Sequence, residues 1–157
     1  MAIKIKDAKR AIETAIVKAI DKKTLEILGE LAVAEIQNRT FRGRGVTQNR
    51  GNTQKLDALK ESTVKKRKNL KKKGQLSAFT SVRRSNLTQS GDMLLSLESK
   101  VAGDEVIIAP KGNENVAKVE YNANTGREFL YLAKNEITKL SKYLKVKLIE
   151  VLNNQLR

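Results

Sequence analysis

The sequence of 157 residues contains no cysteine, no histidine and no tryptophan, and only one proline. Without histidine and cysteine, the chain cannot build an ordinary zinc site, a thiolate nucleophile or an imidazole general base. Disulfide bonds are excluded as well, so a reducing compartment is compatible with the chain. Because aromatic residues make up only 4% of the sequence, the core must consist mainly of Leu, Ile, Val and Ala.

Long apolar runs are also missing. The first twenty residues mix charged with apolar positions, whereas a signal peptide needs an unbroken apolar stretch of roughly 7–15 residues. A transmembrane helix needs about 20 consecutive, mainly apolar residues. We therefore expect no secretory signal and no membrane partner. The length corresponds to a single domain, residues 1–157.

The net charge of +15 is concentrated in one part of the chain. Between Arg42 and Arg84, fourteen basic residues face two acidic ones, a net charge of +12, whereas the remainder has 18 basic and 15 acidic residues, a net charge of +3. This part is rich in Gly and polar residues and poor in large apolar ones, so it cannot offset its ordering entropy alone. We predict a basic extended arm or loop, residues 40–85, that orders against something else.

The basic arm is the strongest functional signal in the sequence. A block of like charge repels itself without a partner, which favours contact with phosphates or with an acidic protein face over a merely solvated charge run. Few aromatic residues flank it, so stacking on single-stranded bases is not expected. The candidate contact residues are Arg42, Arg44, Arg50, Lys65, Lys66, Arg67, Lys68, Lys71, Lys72 and Lys73.

Apolar periodicity predicts helix over residues 5–38, either one long helix or two, with a second apolar stripe after Asp21-Lys22-Lys23 and a bend allowed at Gly29. The lack of periodicity from Thr40 to Gly51 predicts a loop. A short basic helix is expected up to Lys73, with Gly74 as its stop.

Two strands, residues 97–101 and 105–109, flank Ala102-Gly103-Asp104, which suits a hairpin loop. The unbroken apolar run of residues 106–108 is typical of a strand covered on both faces. Residues 116–121 are ambiguous between strand and helix, and residues 127–132 between a strand and a helix entry. The predicted fold class is α+β: an N-terminal helix, the basic arm, a small antiparallel β-sheet and a C-terminal amphipathic helix.

The predicted C-terminal helix has an apolar stripe that is more typical of a core helix than of a partner-binding helix. Its members are Ile137, Leu140, Leu144, Leu148, Val151 and Leu152. We expect Phe129 and Tyr131 in the core, and Tyr121 and Tyr143 half-buried. Three helices have candidate N-caps. Ser62 or Thr63 would cap the short basic helix, Ser90 a short helical turn over residues 91–95, and Asn135 the C-terminal helix.

Catalysis has little support in the sequence. Gly43-Arg44-Gly45 lacks the third glycine of a dinucleotide fingerprint and the Gly-Lys-Ser/Thr of a phosphate loop. Ser and Lys are numerous enough for a Ser–Lys pair to arise by chance. We therefore expect that the protein is not an enzyme and that it has neither a cofactor nor a metal site.

Three short segments follow one another in an order that resembles a known family. LDALKEST at residues 56–63, with the Lys/Arg run after it, resembles a "PLs..T...K" stretch. LTQSGDMLLSL at residues 87–97 resembles "L..TG.L..SI", and GREFL at residues 126–130 resembles "PRPFL". The quoted patterns are those of the virion-morphogenesis, or tail-completion (head–tail joining), proteins of long-tailed phages, which this chain resembles. The matching residues are Ser90, Gly91, Leu94, Arg127, Phe129 and Leu130.

The resemblance covers residues 20–155, with departures: Glu128 replaces a proline, and residues 116–121 lack the family's His and Gly. It implies a virion structural protein, assembled in the host cytoplasm, that forms a hexameric ring at the neck. Such a ring caps the tail tube and joins it to the connector, and DNA passes through its lumen. Arg127 is expected to pair near the C-terminal helix. The alternative hypothesis is a basic nucleic-acid-binding protein associated with ribosomes or DNA.

Overall fold

The computed structural model describes residues 12–14, 16–46, 51–78, 80–85, 87 and 91–155. Residues 12–14 and 16–19 are helical, and a separate helix, α1, spans Lys22–Phe41. Asp21 is the N-cap of α1, because its carboxylate accepts a hydrogen bond from the Thr24 amide at 2.7 Å. The chain therefore has two helices here. The predicted helical residues 5–11 lie outside the described residues.

Two short strands follow α1. Strand β1, Arg44–Val46, pairs antiparallel with β2, Thr53–Lys55. The prediction of a loop from Thr40 to Gly51 is therefore wrong for residues 40 and 41, which are helical, and for residues 44–46. Val46 is completely buried, and its amide donates to the Glu128 carbonyl at 3.1 Å. This contact fastens the start of the basic segment to the body of the protein.

Helix α2 spans Glu61–Lys72, and Gly74, at a φ of +66°, follows its end. The predicted helix and its glycine stop are confirmed. The expected caps, Ser62 and Thr63, are wrong, since both residues lie inside the helix and the N-cap position is Lys60, without a side-chain hydrogen bond.

The predicted hairpin is confirmed. A short helix, α3, spans Asp92–Leu95, and β3, Leu97–Ala102, pairs antiparallel with β4, Glu105–Pro110. One face of this hairpin packs on α1, with Ser99 and Val106 against Gly29. The other face carries Ile107, which is 51% exposed. The expectation that residues 106–108 are covered on both faces is therefore wrong within this chain.

Two further helices complete the chain: α4, Asn113–Asn124, and α5, Lys134–Gln155. The ambiguous residues 116–121 are thus helical, and residues 127–132 form an irregular entry to α5. The cap prediction for Asn135 is wrong. Instead, the Glu136 carboxylate accepts from the Ala133 amide at 2.7 Å, which is the glutamate half of a capping box.

The core lies where α1, α3, the β3–β4 hairpin and the segment before α5 meet. Its buried members are Ile36, Met93, Leu94, Leu97 and Phe129. The α+β prediction is confirmed. Phe129 is 2% exposed as expected, but Tyr131 at 40% and Tyr121 at 66% are more exposed than predicted. Tyr143 is half-buried, as expected.

The apolar stripe of α5 is not a core stripe. From residue 137 to residue 154 no side chain is fully buried: five of the six stripe residues are half-buried, and the sixth, Ile137, is 49% exposed. Among the described residues, no helix combines the length and the apolar character that crossing a membrane requires.

Candidate functional site

A large concave surface lies between α2 and the chain that returns after it. We call it the lysine groove. Its volume is about 1010 Å³, and of the lining residues that the structure describes five are basic and none is acidic. The basic members are Lys68, Lys71, Lys72, Arg83 and Arg84. The three lysines recur at the spacing that places side chains on one face of a helix. This groove therefore concentrates positive charge.

Arg67 connects the two sides of the lysine groove through hydrogen bonds. Its side chain is buried, and Nη1 donates to the carbonyl oxygens of Ser81 at 2.7 Å and Arg84 at 3.3 Å. Burial lowers the pKa of the Arg67 guanidinium from its ordinary value, because the charged form loses water. The contacts tie α2 to the returning chain. Arg67 thus has an internal structural role, unlike the partner contact expected from the sequence.

A second concave surface, the arginine groove, lies at the C-terminal end of α1. It has a volume of about 500 Å³ and includes residues from α1, β1, β2 and the start of α5. Its lining residues are Glu35, Asn38, Arg39, Arg42, Arg44, Thr53, Arg84, Asn135, Glu136 and Lys139. None of them is apolar, so the groove is a polar site with an excess of cations.

Both carboxylates of the arginine groove are neutralised internally. Glu35 accepts from Lys139 Nζ at 2.7 Å, and Glu136 forms a buried ion pair with Arg39. In the described part of the chain, Arg42, Arg44 and Arg84 form no ion pair with a carboxylate. These three guanidinium groups therefore remain available to an anion.

Arg39 itself is built into the protein. It is 6% exposed, and beyond its ion pair it donates to the carbonyl oxygens of Phe129 and, at 3.0 Å, Tyr131. Burial lowers the pKa of Arg39, and the neighbouring Glu136 opposes that shift. Arg39 positions the start of α5 beside α1, and it forms a buried part of the lining of the arginine groove.

The two grooves meet at Arg84, which lines both. Its Nη1 donates to the Arg42 carbonyl at 3.2 Å, and its amide donates to Ser81 Oγ at 3.0 Å. Its aliphatic stem lies over Gly43, where an added Cβ would be 2.6 Å from Arg84 Cδ. Gly43 has a φ of +76°, so glycine serves both the turn and the close approach. Arg84 is therefore held at the junction of the two grooves by its hydrogen bonds and by its contact with Gly43.

The sequence-predicted contact residues divide into several groups. Arg42 and Arg44 line the arginine groove, and Lys68, Lys71 and Lys72 line the lysine groove. Exposed positions outside both grooves are occupied by Lys65, Lys66 and Lys73, and Lys65 pairs with Glu61 at 3.1 Å. Arg67 is buried, and Arg50 lies outside the described residues.

Sequence reasoning missed Arg83, Arg84 and Lys139 as groove residues. Arg83 and Arg84 belong to the +12 segment, so the signal was present in the charge count. Nothing in the local sequence distinguishes them from their neighbours. Lys139 lies on α5, and only the fold brings it to the groove.

The family-motif residues are mainly structural. Leu94 and Phe129 are core residues, Leu130 packs against the core, and Gly91 has a φ of +97° before α3. Ser90 lies outside the described residues.

The expected pairing of Arg127 near the C-terminal helix is not observed. The Arg127 amide donates to the Asn122 carbonyl at 2.8 Å, and Nε is buried without a hydrogen-bond partner. In the described ranges no ion pair involves Arg127.

Among the described residues, no group of three or more Asp, Glu, His or Cys side chains is placed to hold a metal ion. The arrangement is suited to holding an anion by charge and hydrogen bonds. Comparisons with protein-family models, curated proteins and solved structures found no match for this chain.

Proposed function

We propose that this chain is a structural subunit of the neck of a long-tailed phage, a tail-completion ring that caps the tail tube and joins it to the connector. The proposal starts from the order of the three sequence motifs. Leu94 of the second motif and Phe129 of the third belong to one buried cluster together with Ile36 of α1. Residues distant in sequence thus act together in the fold, as expected if the motifs mark a common scaffold.

The observation that carries an assembly role is the set of large apolar side chains that remain exposed on α5 and, separately, on the β3–β4 hairpin. Val146 is 55% exposed, Ile149 47% and Ile107 51%. Large apolar side chains exposed on neighbouring turns are typical of surfaces that another protein covers. A subunit of a ring must bury such surfaces against its neighbours.

The hairpin offers a second means of association. In the described part of the chain, neither β3 nor β4 pairs with a third strand. Each strand therefore presents unpaired backbone groups on one edge, where a strand from another subunit would add. Ile107 would then contribute apolar contact on the outer face of the enlarged sheet.

The proposal is tested by light scattering of the purified full chain, followed by electron microscopy of the chain mixed with tail tubes. We expect a six-fold ring at a tube end. Replacing Val146 and Ile149 together by Asp should abolish the ring, because charge would be placed in the buried interface. Their exposure predicts unchanged thermal unfolding of the monomer. The matched control is the double substitution of Lys66 and Lys73 by Gln on α2, which changes the net charge by the same amount at exposed positions.

A chain that stays monomeric and binds neither tubes nor connectors contradicts this function. If the α5 variant and its control both assemble as well as the wild type, Val146 and Ile149 do not lie in the ring interface.

A further inference from the structure

Of the nine basic side chains that line the two grooves, seven form no ion pair within the described residues. They are Arg42, Arg44, Lys68, Lys71, Lys72, Arg83 and Arg84. We infer that the two grooves form one binding surface for the phosphodiester backbone of double-stranded nucleic acid, with Arg84 at its centre. This inference rests on the charges of the grooves and not on the neck ring, so either can fail alone.

The central arginine is already in place before any ligand binds. Arg84 is held through the Arg42 carbonyl on one side and through the Arg67 side chain, which reaches the Arg84 carbonyl, on the other. Its stem rests on Gly43. A side chain ordered in this way loses less entropy on binding than a free surface arginine. The site is therefore preorganised at the point where both grooves meet.

The groups that could oppose an anion are neutralised. Glu35 and Glu136 are the two carboxylates of the arginine groove, and each is occupied by a cation of the same groove. The described residues that line the lysine groove include no carboxylate. Guanidinium groups match the geometry of phosphate oxygens and hold them in a bidentate manner, which favours Arg42, Arg44, Arg83 and Arg84 as phosphate ligands.

The lining of the grooves favours a polyanion over an acidic protein face. Protein interfaces have an apolar core that is depleted of charge, whereas none of the described residues that line the arginine groove is apolar. The lysine groove contributes only Leu76, Ala78 and Val82 as apolar members. Among the described lining residues of the two grooves none is aromatic, so these residues offer no surface on which bases could stack. A duplex bound by its backbone meets all these conditions.

The test measures binding of the full chain to a labelled mixed-sequence duplex of about 20 base pairs, by fluorescence anisotropy, between about 0.05 and 0.3 M salt. The key variant replaces Arg42 and Arg44 together by Gln. The matched control replaces Lys66 and Lys73 by Gln, which removes the same charge from exposed positions outside the grooves.

Each phosphate contact contributes about 0.9 to the slope of log affinity against log salt concentration. At 0.1 M salt, relative to 1 M, this corresponds to about an eightfold increase in affinity for each contact. Loss of Arg42 and Arg44 should therefore weaken binding roughly 60-fold and reduce the slope by about 1.8. The control should keep the wild-type slope. Both arginines are exposed, so we expect the variant to fold normally, and its thermal unfolding verifies this.

Three outcomes would overturn the inference. The first is no duplex binding at the lowest salt, and the second is an equal loss in the variant and its control, which would mean diffuse attraction without a site. The third is displacement of the duplex by poly-glutamate at equal charge concentration. That result would assign the grooves to an acidic protein partner.

Discussion

Arg39, near the C-terminal end of α1, and Glu136, in the first turn of α5, form an ion pair from which water is excluded. The same carboxylate caps α5 through the Ala133 amide, and the same guanidinium holds the carbonyl oxygens of Phe129 and Tyr131. One pair of side chains thus fixes the angle at which the C-terminal helix leaves the core. It also forms the back of the arginine groove.

Replacing Arg39 by Met should destabilise the protein by about 3–5 kcal/mol, because Glu136 would be left buried without its partner. Urea unfolding measures this change. Replacing both Arg39 and Glu136 by Met should cost less than the sum of the two single substitutions, since no unpaired charge remains. A single-variant loss below about 1 kcal/mol, typical of an exposed pair, would contradict the buried geometry.

Gly29 is the contact point between α1 and the β3–β4 hairpin. A Cβ at this position would lie 2.6 Å from both Cβ and Oγ of Ser99 and 2.9 Å from Val106 Cγ1. Gly29→Ala should therefore destabilise by about 1–3 kcal/mol through overpacking, although alanine is better by about 1 kcal/mol in an unpacked helix. The added substitution Ser99→Gly should restore part of the loss in thermal unfolding. Stabilisation of the protein by Gly29→Ala would contradict the close approach of α1 to the β3–β4 hairpin at this position.

Arg67→Met should loosen α2 from the returning chain, because the carbonyl oxygens of Ser81 and Arg84 would lose a buried donor. We expect a loss of about 1–3 kcal/mol and faster hydrogen exchange in α2. Lys66→Met is the matched control, since Lys66 is exposed on the same helix. Equal exchange in the two variants would show that Arg67 does not fasten the helix.

Acid should weaken the start of α1. The hydrogen bonds from Thr24 hold the pKa of the Asp21 carboxyl below its ordinary value. The carboxylate therefore adds stability above the ordinary Asp value of about 3.9, and this is lost as the pH falls through the lower pKa of the folded state. Asp21→Asn keeps an acceptor for the Thr24 amide but does not titrate. Its thermal unfolding should decline less steeply than the wild type below pH of about 4; parallel profiles would contradict the cap.

Much of the local structure followed from the sequence. The hairpin loop at Gly103-Asp104, the stop of α2 at Gly74 and the α+β class depend on backbone preferences and short-range periodicity, which neighbouring residues determine. The same reasoning was wrong for the caps of α2 and α5. The N-terminal cap of α5 comes from Glu136, whose position is set by the distant Arg39.

The sequence by itself determined how much positive charge the chain carries and that most of it lies between Arg42 and Arg84. Only the tertiary structure decided which of these cations remain free. It buried Arg67 as an internal tie, left Lys66 outside the grooves and placed Arg84 where the two grooves meet. A charge count treats every cation alike, whereas burial and carbonyl partners depend on segments that the fold brings together from far apart in the chain.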